Sequence, residues 1–506
     1  CYDRALALYP DHPETLSNRG IALHHLGQFA AALASFDRAL ALAPGLADAH
    51  ANRASALREL RHLPEALASF RRAARLQSGN AEMQANLARA LTDRAAALAA
   101  TGQFDEALAA AEEALERRPD LAEAHHNRSL ALHARGRFDA ALASAERALA
   151  LRPGFAEAHH NRGVVLQAMA RFDEALGSYQ EALRHRPDFA AAHCAEGSCR
   201  LLCGDLEQGW AKYEWRWQAD GAGARAFSVP QWRGNADLAG KTILLHAEQG
   251  FGDTIQFCRY APLVAQQGAS VLLEAQPPLL PLLRTLAGPV QVVAQGETLP
   301  AFDLHSPLLS LPLAFGTTLD TIPASIPYLA ASPDRIDKLA MLLPPPTSLR
   351  VGLVWSGNPA HRNDRNRSMA LERLAPLLAV PDIACVSLQR DLRADEAAAL
   401  PRYPAVCPLG AALGDFADAA AIVASLDLVI AVDTAVAHLA GALGKRCWLL
   451  LPHLPDWRWL LDREDSPWYP TLRLFRQPAP GDWDSVIARV AGELMRLASL
   501  PRGAAA

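Results

Sequence analysis

At 506 residues, 51% hydrophobic and 20% charged, the chain is too long for one core and too apolar to remain unfolded, so at least two domains are expected. A formal net charge of −5 and a pI near 6.4 leave no overall field for nucleic acid or an anionic membrane, so an anionic ligand has to be held by a local cluster of cations. No stretch is long and apolar enough to span a bilayer, and the eight cysteines are scattered rather than framed as in a small secreted domain, which fits a reducing, cytoplasmic compartment.

From the N-terminus, Asn18, Asn52 and Asn86 recur every 34 residues, and Asn127 and Asn161 resume that period after one step of 41. Small residues keep the same beat (Gly20, Ala54, Ala88, Ser129, Gly163, Gly197), as do the wedge-filling aromatics Phe36, Phe70, Tyr179 and Tyr213. Pro44, Pro119, Pro153 and Pro187 close their units, because proline cannot continue a helix interior. These positions resemble the tetratricopeptide repeat, which implies an α-helical solenoid of about six units over residues 1–219. The seven extra residues of the long step fall between 90 and 100 and are close to two helical turns, which predicts one elongated helix whose buried face keeps its phase. Residues 1–6 align with 35–40 one period later, so the chain is expected to begin inside the second helix of a preceding unit; at the other end Gly209, Arg216 and Gly221 break the pattern.

Asparagine is a poor helix former, so its recurrence at Asn18, Asn52, Asn86, Asn127 and Asn161 has two readings. An amide ladder can donate to and accept from any peptide backbone, the arrangement by which similar arms of protein-modifying sugar transferases hold an acceptor chain; or the amides stabilise adjacent helix turns. His125, His126, His159 and His160 are expected on a solvated face.

After a Gly/Ala-rich linker, taken as 220–240, the pattern changes to alternating strands and helices. Strand-like runs at 241–247, 269–275, 289–294, 350–355, 383–388, 428–432, 446–451 and 472–475 predict parallel sheets covered by helices. Pro344-Pro345-Pro346 separates a first lobe, 241–340, from a second, 347–480, with a closing helix at 481–500. Two such Rossmann-like lobes imply a cleft, with ligands at the carboxyl ends of the strands.

Three strand-to-helix turns carry the candidate chemistry. In the first, Gln249, Gly250 and Gly252 let backbone approach a ligand while Asp253 either takes a proton from a hydroxyl or caps the next helix with Gln256. The second, Ser356-Gly357-Asn358 followed by Arg362, Arg365 and Arg367, is a local basic patch whose guanidinium forks suit phosphate oxygens, or a loop that rims the cleft. In the third, Asp433 and Thr434 open a small-residue helix with His438 one turn on, as a phosphate cradle or as a plain cap with a packed histidine. The aromatics of 455–459 and 466–470 either floor a sugar or nucleotide site or pack the lobe.

Residues 241 to about 500 resemble the heptosyltransferase-like (glycosyltransferase family 9-like) enzymes of GT-B fold, on three grounds: Gly252-Asp253-Thr254, Trp355-Ser356-Gly357-Asn358 with Arg367 downstream, and Asp433-Thr434-Ala435-Val436-Ala437-His438-Leu439. The resemblance implies an inverting, metal-independent transfer of a sugar from a nucleotide-diphosphate donor to a protein or glycan acceptor docked on the repeats. Asp253 would be the general base, and Arg367 with the Asp433–His438 turn would hold the donor diphosphate. Arginine stands where that family often has lysine, which leaves the donor sugar open. No cofactor is implied beyond the nucleotide sugar itself. The alternatives are a scaffold that binds nucleotide or glycan without turnover, and a nucleotide-sugar epimerase. Asp482-Trp483-Asp484 is read as a helix start rather than a metal site, and Cys194, Cys199 and Cys203 as small core residues rather than zinc ligands.

Overall fold

The structure, a computed structural model, describes residues 1–219, 225–361 and 363–500. A short α1 (Tyr2–Leu8) is followed by helix pairs: α2 (Pro13–His25) with α3 (Phe29–Leu42), α4 (Ala47–Glu59) with α5 (Leu63–Leu76), α6 (Ala81–Ala100) with α7 (Phe104–Arg117), α8 (Ala122–Ala134) with α9 (Phe138–Leu151), and α10 (Ala156–Ala168) with α11 (Phe172–His185). First helices have 13 residues, except α6 with 20, so the inserted segment continues the helix as its near-two-turn length dictates.

Packing explains the periodic residues. A Cβ on Gly20 would lie 2.5 Å from the Phe36 ring, and one on Gly163 2.4 Å from Tyr179; both rings are fully buried. The residues before the closing prolines (Ala43, Arg118, Arg152 and Arg186) leave the helix with ψ between 83 and 92, because a proline ring disfavours helical backbone in the residue ahead of it. Two further ladders are not evident from spacing alone. Arg19, Arg53, Arg128 and Arg162 each join an acid 16 residues back to a serine 16 residues on, as Arg128 does with Glu112 at 3.2 Å and Ser144 at 2.8 Å. His50, His125, His159 and His193 each direct Nε2 at the carbonyl of the proline six residues back, at 2.8 to 3.1 Å.

The solvated histidine face expected at 125–126 and 159–160 is therefore corrected. His125 and His159 staple the turns, while His126 and His160 pack on Phe155 and Phe189, with ring centroids 5.1 and 5.2 Å apart. Burial lowers both His126 and His160 to about 4.

The chain divides within α12 (Ala190–Leu202), where one compact unit ends at Ala195 and a second begins at Glu196. The array expected over 1–219 thus stops earlier, because its final helices, α13 (Leu206–Tyr213) and α14 (Arg216–Ala219), belong to the α/β body. Trp210 Nε1 donates to the Thr317 carbonyl at 3.0 Å, and buried Arg216 makes a two-pronged pair with Glu248, both bonds 2.9 Å. The supposed linker is corrected too. Residues 220–224 lie outside the described residues, but Trp232 is buried and its N–H donates to His305 at 2.7 Å, with Gln231 bridging the same residue as an added sheet edge.

The first sheet holds β1 (Thr242–His246), β2 (Ser270–Ala275), β3 (Val290–Ala294) and β4 (Leu304–Pro307) in the order β3-β2-β1-β4, and α15 (Phe251–Phe257) follows β1. The second holds β5 (Leu349–Val354), β6 (Ile383–Ser387), β7 (Val406–Pro408), β8 (Leu428–Val432), β9 (Cys447–Leu451) and β10 (Leu472–Arg476) in the order β10-β9-β8-β5-β6-β7. Every pairing in both sheets is parallel. β4 and β7 escape sequence reading because they are four and three residues long and end on proline.

One lobe boundary shifts. The helix Pro333–Ala340, expected in the first lobe, packs on the second, where Arg335 Nη1 lies 2.6 Å from both Asp415 and Asp418. The closing helix Trp483–Ala498 shares the second lobe's core, with Val486, Ile487 and Val490 packed among Val351, Leu353 and Ile430. Asp482 caps it, accepting from Ser485 N at 3.1 Å. All eight cysteines are free thiols, and among the described residues no helix is long and apolar enough to cross a membrane.

The buried histidines give the array a pH dependence. His126 and His160 stay neutral in the folded chain down to about 4, whereas the unfolded chain binds protons below the ordinary value of 6.5. Their stabilising contribution is complete above 6.5 and is lost as pH falls toward 4, so the helical thermal midpoint should drop over that window. Circular dichroism of a His126→Gln, His160→Gln variant should show a shallower drop.

Candidate functional site

The first sheet reverses its winding between β1 and the edge strand β4 and the second between the inner strands β5 and β8, and a crevice opens at the carboxyl ends of strands flanking such a point. The three turns singled out in the sequence leave β1, β5 and β8.

The β1 turn starts α15 at Gly250, whose N–H donates to Asp253 Oδ2 at 2.8 Å, so Asp253 does cap this helix. Its other oxygen accepts from Arg458 Nη2 of the second lobe. Capping and facing the cleft, set as alternatives by the sequence, are one arrangement. Gly252 is required by close approach, because a Cβ there would lie 2.9 Å from His438 Cδ2. Gln249 holds the turn through its carbonyl, which accepts from Gln276 at 2.9 Å.

The β5 turn places Ser356 in a buried position and stacks the Arg367 guanidinium on Gly357, where a Cβ would lie 2.8 Å from Nη2. Arg367 Nη1 donates to the Asp433 carbonyl at 2.9 Å, tying the second turn to the third. Asn358 and Arg365 lie exposed on the rim, and Arg362 lies outside the described residues. Ser356 Oγ, Arg367 Nε and Thr434 Oγ1 are all shielded from solvent and have no hydrogen-bond partner among the described residues, although Arg367 Nε lies 3.8 Å from Asp364 Oδ1. Shielded donors without partners cost stability, and an anion reaching this turn would satisfy them.

His438 is buried, stacked on Trp459 at 5.2 Å, and bonded through Nδ1 to the Tyr469 hydroxyl at 3.0 Å. Tyr328 donates to the Ile255 carbonyl at 2.9 Å beside this pair, and His438 Nε2 lies 3.9 Å from Asp433 Oδ1. Burial first, then Arg458, Arg259 and Arg367, lower its pKa well below 6.5, so the ring is held neutral. Asp433 goes the other way: burial and the charge of Asp456, against Arg367, raise it to about 6.

Arg458 organises the centre. It is buried and bonds Asp456 at 2.8 Å, Gln256 Oε1 at 2.8 Å and Asp253, while lying 4.1 Å from the Trp457 ring. Burial raises Asp253 above the ordinary 3.8 and Arg458 opposes that rise. The sequence reading weighed the aromatics of 455–459 and missed Arg458; the signal was a cation flanked by two tryptophans. Trp457, Trp459, Trp468 and Tyr469 are buried, so they pack the lobe and grip Arg458 and His438 rather than floor an open site.

The asparagine row is not uniform. Asn127 and Asn161 are buried and donate to Thr92 O at 3.0 Å and Ser129 Oγ at 2.7 Å, stapling successive first helices together. Asn86 accepts from Arg89, Asn52 is half-buried and Asn18 exposed. At 127 and 161 the peptide-gripping reading is corrected, since those N–H groups are spent inside the array.

Residues 1–62, 92–155 and 156–189 match family models described as tetratricopeptide repeat, and the N-terminal unit is a solenoid of such repeats. The chain is 28% identical over 333 residues to Protein FlbA of Caulobacter vibrioides, covering 60% of this chain and 55% of that protein. It thus spans about half the length of the curated relative it matches. Solved structures similar in part are YrrB, titled a TPR protein with an unusual peptide-binding site (23% identity, 38% of this chain, 95% of that one, TM-score 0.32), and the type IV pilus biogenesis factor PilW (20%, 42%, 93%, TM-score 0.32).

Removing Arg458 takes the cation from the half-buried Asp253 carboxylate and from Asp456. Arg458→Met should lower the unfolding free energy of this unit by about 3 kcal/mol, and adding Asp253→Asn should recover part of it, as measured by urea denaturation. A double-variant loss equal to the sum of the Arg458→Met and Asp253→Asn losses would show that Asp253 and Arg458 are not coupled.

Proposed function

We propose that the α/β unit is an inverting glycosyltransferase of GT-B type that uses a nucleotide-diphosphate sugar, with the repeats recruiting a protein acceptor. The observation that carries this reading is the convergence of turns from both sheets: one carboxylate from the first lobe faces cations and unpartnered donors from the second. Asp253 takes the proton of an acceptor hydroxyl, whose oxygen attacks the anomeric carbon while the bond from that carbon to the diphosphate breaks. The departing charge meets Arg367, Ser356 Oγ, Thr434 Oγ1 and the amides opening the helix Ala435–Ala442, with neutral His438 beneath them. Arg458 bonds Asp253, so the guanidinium has to turn toward the donor phosphate before the carboxylate is free.

That same contact supports a second reading, a domain that binds nucleotide or glycan without turnover, because both Asp253 oxygens already have partners, Gly250 N–H and Arg458.

One experiment separates them. Release of nucleoside diphosphate from a panel of nucleotide sugars should disappear in Asp253→Ala while nucleotide affinity survives, and Arg367→Ala should weaken that affinity about tenfold or more. Because the base must be ionised, the rate should fall as pH drops through a value above the ordinary aspartate 3.8. Nucleotide binding without release in the intact chain would leave only the binding reading.

A further inference from the structure

A cavity of about 630 Å³ lies between α5 and the last third of α6. Its rim carries Arg61, Arg71, Arg75 and Arg94, its floor is aliphatic around Leu67 and Leu98, and among the described residues no acidic side chain lines it. Arg71 is paired with Glu113 at 2.6 Å, whereas Arg61, Arg75 and Arg94 make no ion pair among the described residues. The cavity owes its wall to the insertion: Arg94, Ala97 and Leu98 lie in the turns that α6 has beyond the 13-residue length of its counterparts.

Arg61 reaches the rim from the turn between α4 and α5. The turn between the two helices of each pair holds one residue in the left-handed region: Gly27 (φ 74), Arg61 (φ 63), Gly102 (φ 78), Gly136 (φ 70), Ala170 (φ 57) and Gly204 (φ 87). A side chain there costs about 1 kcal/mol that glycine avoids. At Arg61 the cost is borne by the residue that places a cation on the cavity rim.

We propose that this cavity is a docking site for an acidic peptide segment bearing a large apolar side chain, its carboxylates on Arg61, Arg75 and Arg94 and its apolar group on Leu67 and Leu98. Charge complementarity selects an anion, and the aliphatic floor, with no aromatic ring to stack a base, selects a peptide over nucleic acid. The site belongs to the repeat unit alone and stands or falls independently of the transferase reading.

Fluorescence anisotropy on the full chain tests it with a short fluorescein-labelled peptide of glutamate, aspartate and leucine. Binding should weaken with added salt, vanish when lysine replaces the acids, and fall about tenfold in Arg61→Gly and in Arg94→Ala. Arg61→Gly relieves the backbone, so its thermal midpoint should hold or rise while affinity falls, which separates docking from folding. The proposal is overturned if the intact chain does not bind the peptide, if both variants bind as tightly as the parent, if a leucine-free acidic peptide binds equally well, or if a single-stranded oligonucleotide binds more tightly.

Discussion

A guanidinium buried between two α/β lobes has to be surrounded by acceptors, and the α/β unit is arranged around that requirement at Arg458. Removing an arginine from water costs several kcal/mol unless charge and hydrogen bonds compensate, so Asp253, Asp456 and Gln256 Oε1 are fixed in place by it. Asp253 and Gln256 lie on α15 of the first lobe while Arg458 follows β9 of the second, so satisfying one cation sets the distance between the two sheets' turns. Arg259 repeats the device without a carboxylate: its three nitrogens donate to the carbonyls of Gln256, Pro323 and Trp468 and to the Tyr328 hydroxyl, between aromatic faces of Tyr328 and Tyr469.

From this clasp the electrostatics of the site follow. The same burial that raises Asp253 and Asp433 lowers His438, because a dry environment penalises whichever form carries charge. The result is a gap with one neutral imidazole and carboxyls that protonate more readily than in water, beside the guanidiniums of Arg458 and Arg367. Close approach also explains the glycines: Gly252 faces His438 and Gly357 faces Arg367, so at both places a side chain would push apart groups that have to meet.

Some of this was legible in the sequence and some was not. The 34-residue beat, the elongated α6 and eight of the ten strands follow from local rules, since proline stops, small-for-large complementarity and apolar alternation act within a few residues. The three turns chosen as strand-to-helix junctions do follow β1, β5 and β8, but that they lie at winding reversals depends on β4, a strand too short to declare itself, and on the pairing of β5 with β8 across the chain. The boundary of the repeats was misplaced because α13 still reads as a repeat helix, whereas Trp210 and Arg216 bind Thr317 and Glu248, about a hundred and about thirty residues away in the chain.

By itself the sequence determined the repeating helices, the alternation of strand and helix, and the presence of carboxylate and cation in strand-end turns, because each is encoded by spacing along one segment. Only the tertiary structure decided which of those groups meet. Asp253 and Arg458 are separated by two hundred and five residues and joined by one hydrogen bond, and Asn127 and Asn161 became internal staples because a neighbouring helix offered Thr92 O and Ser129 Oγ. A buried polar group takes whichever partner the fold brings within reach, and that partner is fixed by packing rather than by order in the chain.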